Sequence, residues 1–588
     1  VVTTVVPLEV TTSRTDLMLV VIERRDGISL RLEYDSRLYE PGDVAGLLGT
    51  YIACLAGAVA EPERSASQLR DARHGDRFAG TLREVFEEVL GVPVPSLGED
   101  FFALGGDSLS SIRAVARARR RGLVFTPQQL FEHRTIARLA RVVVERVATS
   151  DEQGPVLGAV EFTPIQRILL EADLPDLHHF NMATMLLVDP RPEPALLAIA
   201  VEHLLRHHDA LRLRFRRDDE GWQQVIAGFE GAVPFASADL SALDDAQAAV
   251  AIAERAAHEQ TTLDLTNGPI LRVVAFDLGV DRPSRVLIVV HHLACDAVSW
   301  PILVEDLVTL YGQLQRGDAI ELPAKSTSFQ RWAERLSAWG RADARAEDRA
   351  FWQRECAAPG SRLPRLQTRM TAAIADVERL AHGLEPAATA TVLEALAVQG
   401  VSVEAAGLVG LVTATTEVAG DDGLLVYLER HGRDVLPEID VTRTVGWFTA
   451  VFPVRLPVAV TKQPEDTLAL LVRHLKEIPH GGAGFGVVRT DLDANWYRPE
   501  VSFNYLGHLS APGAAGWRSA PEAPGREVGR RGTRPTILDV TAQVVDGQLS
   551  VLWDYDRTLL ARTIVDRLAD RWMTVFCGLA GRTPTRRS

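Results

Sequence analysis

The chain has 588 residues, of which 46% are hydrophobic and 24% charged, and its net charge is −15 at pH 7; this length suits about three to four globular domains. The acidic balance argues against a nucleic-acid partner, because phosphate binding requires clustered cations, and the lack of any run of about 18 apolar residues argues against a membrane span. The four cysteines show no CxxC spacing and the first residues lack signal-peptide features, so we expect a cytoplasmic protein with reduced thiols.

The first part of the chain is repeated near its other end. Residues 15–60 and 536–581 share an alternating strand pattern followed by an amphipathic helical pattern. In each copy the strand pattern ends in a Tyr-Asp pair, which begins at Tyr34 and at Tyr555. The repeat predicts a strand, a short turn and a helix in both places. We expect residues 1–70 to be the C-terminal remnant of a domain whose counterpart ends the chain.

A polar stretch at residues 70–77 leads into a helical unit predicted over residues 78–147. Thr81 begins a capping-box pattern followed by a helical stripe of apolar residues, and Thr135 is placed to cap a later helix. Between them, Ser108 follows Gly-Gly-Asp at the start of an amphipathic helix. On the residues alone, this serine suits an ordinary N-cap as well as a modification site.

The stretch around this serine, FFALGGDSLSSIRAV, resembles the attachment motif of the peptidyl carrier proteins of nonribosomal peptide synthetases. The resemblance covers residues 78–147 and implies a small all-α bundle of four helices. It also implies that a phosphopantetheinyl transferase attaches 4′-phosphopantetheine to Ser108, whose thiol then carries an aminoacyl or peptidyl group. A helix N-terminus suits the phosphodiester, because its N–H groups and dipole favour an anion. Carriers of this family that precede an epimerization domain often have an aspartate directly before the serine, and Asp107 stands at that position.

From about residue 158 onward, strand-like and helix-like segments alternate to the end of the chain. This alternation predicts an α/β domain over residues 158–583. A proline- and glycine-containing stretch divides it into two predicted lobes, residues 158–356 and 370–583.

The segment HHLACDAVSW, residues 291–300, follows an apolar strand pattern. It could form a metal site, a general base with an orienting carboxylate, or buried packing. Adjacent strand residues point to opposite faces, so His291 and His292 are poorly placed to bind one ion, and no HExxH-like spacing lies near them. We therefore expect no metal, while the residues alone leave the general base and packing open.

The pattern HHxxxDxxSW resembles the signature of the condensation and epimerization domains of nonribosomal peptide synthetases. The resemblance implies an α/β fold of two chloramphenicol-acetyltransferase-like lobes around a tunnel. LERHGRD at residues 428–434, TVGWFT at 444–449 and SFNYLG at 502–507 are similar to epimerization motifs. Residues 158–583 are therefore identified as a member of the epimerization type.

This resemblance also implies a set of site residues. His292 and Glu429, from different lobes, are expected to remove and return an α-proton as an acid–base pair. Asp296 is expected to organise the loop after the histidines. Asn504 and Tyr505 are expected either to line the site or to pack a strand. No metal and no pyridoxal phosphate are expected.

The implied function is epimerization of an L-aminoacyl or peptidyl thioester on Ser108 to a D/L mixture. Adenylation-domain motifs do not occur, so we expect that domain to act in trans or to have been excised. A downstream condensation domain would then accept the D-residue. The alternatives are a condensation-type transferase that forms peptide bonds and a catalytically degenerate scaffold that only docks the carrier.

Several residues depart from the epimerization pattern, and two of them bear on the expected site residues. Ala297 stands where a glycine usually follows the aspartate, which would cost about 1 kcal/mol if the position required a positive φ. Arg430 replaces the glycine after Glu429. Because a nearby cation lowers the pKa of a carboxyl group, we expect Arg430 to weaken Glu429 as a base.

Overall fold

The computed structural model describes most of the chain, namely residues 17–24, 27–34, 51, 66–106, 108–145, 153–172, 174–229, 231–341, 346–357, 362–367, 371–420, 423–436, 439–461, 463–492, 496–509 and 516–582. The helix predicted in the first repeat lies outside these residues except for Tyr51, and so does Asp107. Cys54 also lies outside them. The other three cysteines are free and buried, as predicted.

Strands and helices of the described residues are numbered in chain order. The strands are β1 (Leu17–Arg24), β2 (Gly27–Tyr34), β3 (Leu123–Val124), β4 (Val144–Glu145), β5 (Gly158–Ala159), β6 (Asn181–Val188), β7 (Leu213–Asp218), β8 (Gly221–Ile226), β9 (Phe235–Asp239), β10 (Leu271–Asp277), β11 (Ser284–His291), β12 (Ala372–Ala373), β13 (Val377–Gly383), β14 (Gly423–Arg430), β15 (Ala450–Pro457), β16 (Val501–Leu509), β17 (Trp517–Ser519), β18 (Thr533–Arg534), β19 (Leu538–Val545) and β20 (Gln548–Asp556). The helices are α1 (Ala66–Leu90), α2 (Ser108–Arg120), α3 (Pro127–His133), α4 (Ile136–Leu139), α5 (Pro164–Leu170), α6 (Pro194–His207), α7 (Asp245–Glu259), α8 (Ser299–Arg316), α9 (Phe329–Gly340), α10 (Ala346–Glu355), α11 (Pro386–Val398), α12 (Val403–Ala419), α13 (Pro464–Glu477), α14 (Ala483–Val488) and α15 (Arg562–Leu579).

The hairpin of β1 and β2 has the same register as the hairpin of β19 and β20. Leu17 lies opposite Tyr34 in the first antiparallel pair, and Leu538 lies opposite Tyr555 in the second. The strands of the predicted repeat are therefore confirmed. The assignment of residues 1–70 to a domain remnant stays a prediction.

Four helices, α1 to α4, form the helical unit (residues 66–145). Its core contains Leu82, Phe86, Leu130 and Ile136, all fully buried, and the short antiparallel pair of β3 and β4 joins two of its segments. The predicted bundle of four helices is confirmed.

The first helix of this unit is longer than predicted. α1 begins at Ala66, so Thr81 lies inside it and the predicted linker at residues 70–77 is helical. Residues 70–77 contain three arginines and an alanine, which favour helix, and no proline that would interrupt it. The capping box at Thr81 was therefore wrong. Thr135 does cap α4, and its hydroxyl accepts a hydrogen bond from a backbone N–H of the first turn.

The first lobe is built on a five-stranded sheet in the order β17-β6-β11-β10-β9. Its central strand β11 is apolar on both faces, because alternate residues contact two cores. Val286 and Ile288 belong to the core with α6 and α8, whereas Leu287 and Val289 belong to the core with α7. This two-sided burial explains the continuous apolar run before the histidine pair at the end of β11.

The second lobe is built on a six-stranded sheet in the order β13-β20-β19-β16-β14-β15. Helices α11, α12, α13 and α15 share one apolar core with this sheet. Val426 and Leu428 of β14 and Phe503 of β16 belong to that core. The residues next to these in each strand consequently point to the opposite face of the sheet.

Two segments of the second predicted lobe pack with the first lobe. β17 pairs antiparallel with β6 and forms the edge of the first sheet, and Val441, Val445 and Trp447 belong to the core of the first lobe. The unpaired backbone groups of an edge strand require a partner, and β17 supplies that partner at the edge of β6. The predicted two-lobed α/β fold is confirmed, but a single division at residues 357–370 assigns these segments to the wrong core.

Within the described ranges, no single helix is long and apolar enough to span a membrane. α11 and α12 pass that test only as a pair, and they are bent by 101° relative to each other. Most of α12 is buried in the core of the second lobe.

Candidate active site between the two lobes

The adjacent histidines at the end of β11 have different surroundings. His291 is fully buried. Its Nε2 donates to the carbonyl oxygen of Leu177 at 2.8 Å, and its Nδ1 accepts from the N–H of Leu293 at 3.1 Å. Burial lowers the pKa of His291 to about 3, so the ring is neutral. Because the backbone engages both ring nitrogens, His291 stabilises the turn.

His292 begins the short 3-10 helix that follows β11. Its ring centroid lies 4.3 Å from that of Trp447 and 5.7 Å from that of Phe180. Burial lowers the pKa of His292, and its Nδ1 has no hydrogen-bond partner among the described residues. A neutral imidazole whose nitrogens are not both engaged can accept a proton.

Asp296 organises the turn after the histidines. Its Oδ1 accepts hydrogen bonds from the N–H and the hydroxyl of Ser299 at 2.9 and 2.8 Å, at the start of α8. Oδ1 also lies 2.9 Å from Nη2 of Arg433, and Oδ2 accepts from the N–H of Phe448 at 3.2 Å. Arg433 and Phe448 both belong to the segment that joins β14 to β15. The carboxylate therefore connects this segment to the histidine turn.

Glu429 lies near the end of β14, on the face of the second sheet opposite its helices. The parallel register of β14 and β16 pairs Leu428 with Phe503, which places Asn504 beside Glu429. Nδ2 of Asn504 donates to Oε2 of Glu429 at 2.7 Å. Burial raises the pKa of Glu429 to about 7. A carboxyl group with this pKa can both accept and return a proton near neutral pH.

Neither departure from the epimerization pattern has the expected effect. Ala297 has a negative φ, so the condition for a cost of replacing glycine is not met. Arg430 contacts Glu404 of α12 on the helix side of the sheet. Because neighbouring residues of a strand point to opposite faces, Arg430 lies away from Glu429. The pKa of Glu429 is raised, not lowered, so the expected weakening by Arg430 was wrong.

The surroundings of His292 and Glu429, which come from different lobes, are connected through the segment between β14 and β15 and through β15 itself. Val451 lies opposite Glu429 in the pairing of β14 and β15, and Trp447, just before it in the chain, packs on the ring of His292. Arg433, four residues after Glu429, binds the carboxylate of the histidine turn. The segment that follows Glu429 in the chain therefore contacts the turn that carries His292 at two places.

Tyr505 and Asn504 point to opposite faces of the second sheet. Tyr505 packs against the core of the second lobe, on the face that it shares with Phe503. Its neighbour Asn504 points to Glu429. Of the two interpretations considered for this pair, the structure brings only Asn504 into contact with the candidate acid–base group.

The helical unit contacts the two-lobed domain through α2. This helix begins at Ser108 and packs against β16, the strand that carries Asn504. At its other end, Nη1 of Arg119 lies 2.5 Å from the Asp440 carboxylate, and Nη1 of Arg120 lies 3.0 Å from that of Glu305. The helix with the predicted attachment residue therefore lies against a strand of the candidate site.

The turn before Ser108 fits the attachment of phosphopantetheine. Gly105 has a φ of +98°, a conformation that favours glycine. Gly106 lies so close to Phe101 that an added Cβ would be 2.3 Å from the ring. The turn thus requires glycine at these two positions close to the helix N-terminus, where the N–H groups and dipole of α2 favour a phosphodiester.

Among the described side chains, one group has the spacing of metal ligands, namely His207, His208 and Asp306. Nε2 of His208 lies 2.9 Å from the Asp306 carboxylate, which also contacts Arg443. Burial lowers the pKa of His207 to about 4. Because Asp306 already has a cationic partner, we assign this group to a buried polar network. His291 and His292 do not belong to it.

Sequence reasoning missed three of these contacts. Arg433 lies within the LERHGRD motif, at a fixed distance from Glu429, so its position was a usable signal. Arg119 and Arg120 belong to an arginine-rich stretch that looks like a solvated helix face. Their acidic partners are far away in the chain, and only the packing of the two units brings them together.

The comparisons with known families match both units of the chain. The family described as "Phosphopantetheine attachment site" matches residues 80–143, and the family described as "Condensation domain" matches residues 156–584. The first match contains Ser108, and it confirms covalent 4′-phosphopantetheine as the cofactor of the helical unit.

Related proteins are much longer than this chain. It is 37% identical to one of the proteins of linear gramicidin synthase from Brevibacillus parabrevis, over 84% of this chain and 7% of that protein. It is 38% identical to chondramide synthase cmdD of Chondromyces crocatus over 83% of this chain and 13% of that protein. The chain therefore spans well under a fifth of either relative.

A solved structure resembles the two-lobed part. The crystal structure of the epimerization domain from the third module of tyrocidine synthetase B has a TM-score of 0.68 and 29% sequence identity. The match covers 74% of this chain and 98% of that structure. The similarity therefore extends over nearly all of an epimerization domain.

Proposed function

The chain belongs to the condensation-domain family of nonribosomal peptide synthetases, and from this premise we propose that it epimerises the α-carbon of an L-aminoacyl or peptidyl thioester tethered to Ser108, giving a D/L mixture. The observation that carries the proposal is the Glu429 carboxyl group, which accepts a hydrogen bond from Asn504 and whose pKa burial raises to about 7. The similarity to a solved epimerization domain supports it.

Inversion at the α-carbon requires one group that removes the proton and another that returns a proton to the opposite face. The thioester makes this proton more acidic than an amide would, and a negative charge develops on the thioester oxygen when the proton leaves. Glu429 and His292 supply one acid–base group from each lobe. Asn504 orients the Glu429 carboxyl group through its hydrogen bond at 2.7 Å.

The environments of the two groups suit reversible proton transfer. With its pKa raised to about 7, Glu429 is present in both protonation states near neutral pH. Burial lowers the pKa of His292, so its imidazole is neutral and can accept a proton, and its protonated form readily gives the proton back. Which residue acts first depends on whether the L- or the D-substrate is bound.

The test uses the full chain with an α-deuterated L-aminoacyl pantetheine loaded on Ser108. Deuterium loss is followed by mass spectrometry and product chirality by chiral chromatography. We expect label loss and D-product from the wild type, and both slower by about 10²- to 10⁴-fold in Glu429→Gln and His292→Ala. Glu404→Gln is the matched control, because it makes the same charge change on the other side of the sheet.

Each outcome separates one part of the proposal from the rest. Retention of the label by the wild type would contradict epimerization. Equally fast loss in the wild type and both variants would instead show that the two residue roles are wrong. The family description favours a peptide-bond-forming transferase as the second candidate; formation of a peptide from an added aminoacyl acceptor, without loss of deuterium, would support it.

The proposed function requires partners outside this chain. We propose that a phosphopantetheinyl transferase modifies Ser108 and that an adenylation domain, acting in trans or excised from this polypeptide, supplies the amino acid. A downstream condensation domain would accept the D-residue. These partners and the cytoplasmic location stay predictions, because the chain corresponds to a small part of its relatives.

A further inference from the structure

Charges of opposite sign meet where the helical unit contacts the two-lobed domain. Arg119 and Arg120, in the last turn of α2, contact Asp440 and Glu305 of the two-lobed domain. Only 16% of each side chain is exposed in the pair of Arg119 and Asp440. The second pair is more exposed, at 33% for Arg120 and 39% for Glu305.

Glu305 is shared between the helical unit and the first lobe. Its Oε1 lies 3.0 Å from Nη1 of Arg120, and its Oε2 lies 3.0 Å from Nη1 of Arg443. Burial raises the pKa of Glu305, but the two cations outweigh burial and hold this pKa below its ordinary value. The carboxylate is therefore ionised at neutral pH and bridges one arginine of each unit.

Both acidic contacts are connected to the candidate active site. Asp440, and Arg443 as the partner of Glu305, lie at the start of the segment that continues to Trp447. The ring centroid of Trp447 lies 4.3 Å from that of His292. The helical unit thus docks on the segment that shapes the surroundings of His292.

We propose that Arg119 and Arg120 form an electrostatic latch on Asp440 and Glu305, which holds the helical unit where Ser108 delivers its substrate to the space between the lobes. The inference rests on the proposed function and names the docking partner, which is α2 of the same chain. Partly exposed ion pairs each contribute little free energy. The latch can therefore open again, as a carrier that visits more than one domain requires.

The scarcity of lysine provides a docking assay that does not depend on catalysis. The chain has only three lysines, so Arg120→Lys adds an amine that retains the positive charge beside Glu305. A carbodiimide activates the Glu305 carboxyl group, and the amine displaces the activating group as a urea to form an amide. Peptide mass spectrometry should detect this cross-link in Arg120→Lys and not in Arg120→Lys combined with Glu305→Gln.

The matched control is Arg138→Lys. Arg138 is an exposed residue of the same unit that belongs to no ion pair among the described residues. An amine at this position should form no cross-link to Glu305. The comparison shows whether the cross-link reports docking or only the presence of a reactive amine.

The second readout is deuterium loss from substrate loaded on Ser108 of the full chain. Arg120→Glu replaces attraction to Glu305 by repulsion and should slow the loss by about three- to tenfold. Arg120→Lys should restore the rate, and Arg138→Glu, with the same change in charge, should leave it unaltered.

The latch is overturned if Arg120→Lys gives no cross-link to Glu305, or if the wild type loses deuterium and Arg120→Glu loses it as fast as Arg138→Glu does. Failure of the proposed function has a different signature. In that case the cross-link forms but the wild type retains its deuterium, so docking stands and epimerization does not.

Discussion

Glu429→Gln should stabilise the second lobe at alkaline pH and have little effect at acid pH. Burial raises the pKa of Glu429 from its ordinary value of 4.5 to about 7, so the folded state binds the proton more tightly than the unfolded state. Below pH 4.5 both states are protonated and the carboxyl group carries no penalty. The penalty grows as pH rises and is complete above about 7.

The size of this penalty follows from the two pKa values. Each tenfold change in proton affinity corresponds to about 1.4 kcal/mol, so the shift from 4.5 to about 7 sets an upper bound of about 3–4 kcal/mol. Because the side chain is partly exposed, solvent reduces the expected effect to about 2 kcal/mol. Glutamine remains neutral, and its amide oxygen can still accept the hydrogen bond from Asn504.

The assay is urea unfolding of the wild type and of Glu429→Gln at pH 5 and pH 8. Trp352, Trp553 and Trp572 lie in the core of the second lobe, and their fluorescence reports its unfolding. Other titrating groups cancel in the difference between the two proteins. The reasoning is refuted if this difference is the same at both pH values. Glu404→Gln, which only loses its contact with Arg430, should not gain stability at pH 8.

Three further substitutions test the surroundings of the site. Asp296→Asn leaves the Arg433 guanidinium, which is 3% exposed, without its counter-charge. The free energy of unfolding, measured with urea, should therefore fall by about 3 kcal/mol. An unchanged urea midpoint would contradict the organising role of Asp296. Arg430→Gln should leave the pKa of Glu429 at about 7, and a clear rise in the pH at which the stability changes would show that Arg430 does act on Glu429. Ala297→Gly should lower the free energy of unfolding by about 0.5–1 kcal/mol in the same assay. Alanine fits the negative φ of the folded state and restricts the unfolded chain more than glycine does. A gain in stability would indicate a position that needs glycine.

The local patterns of the sequence were sufficient for several features. The apolar run before His291 predicted a buried strand, and β11 is that strand. Thr135 predicted a helix start that the structure has. The repeat predicted a strand that ends at Tyr34 and another that ends at Tyr555, and in the structure each belongs to a hairpin of the same register. Thr81 shows the limit, because a capping-box pattern also occurs inside a longer helix.

The sequence by itself determined the element types, the attachment motif and the residues available for acid–base chemistry, because these follow from short-range spacing. Only the tertiary structure decided what each side chain faces. Alternation along β14 turned Arg430 away from Glu429, burial raised the pKa of that carboxyl group, and the register with β16 brought Asn504 to it. The pairing of Arg120 with Glu305 joins residues far apart in the chain. Such contacts depend on how the sheets and the helical unit pack, and no local pattern encodes them.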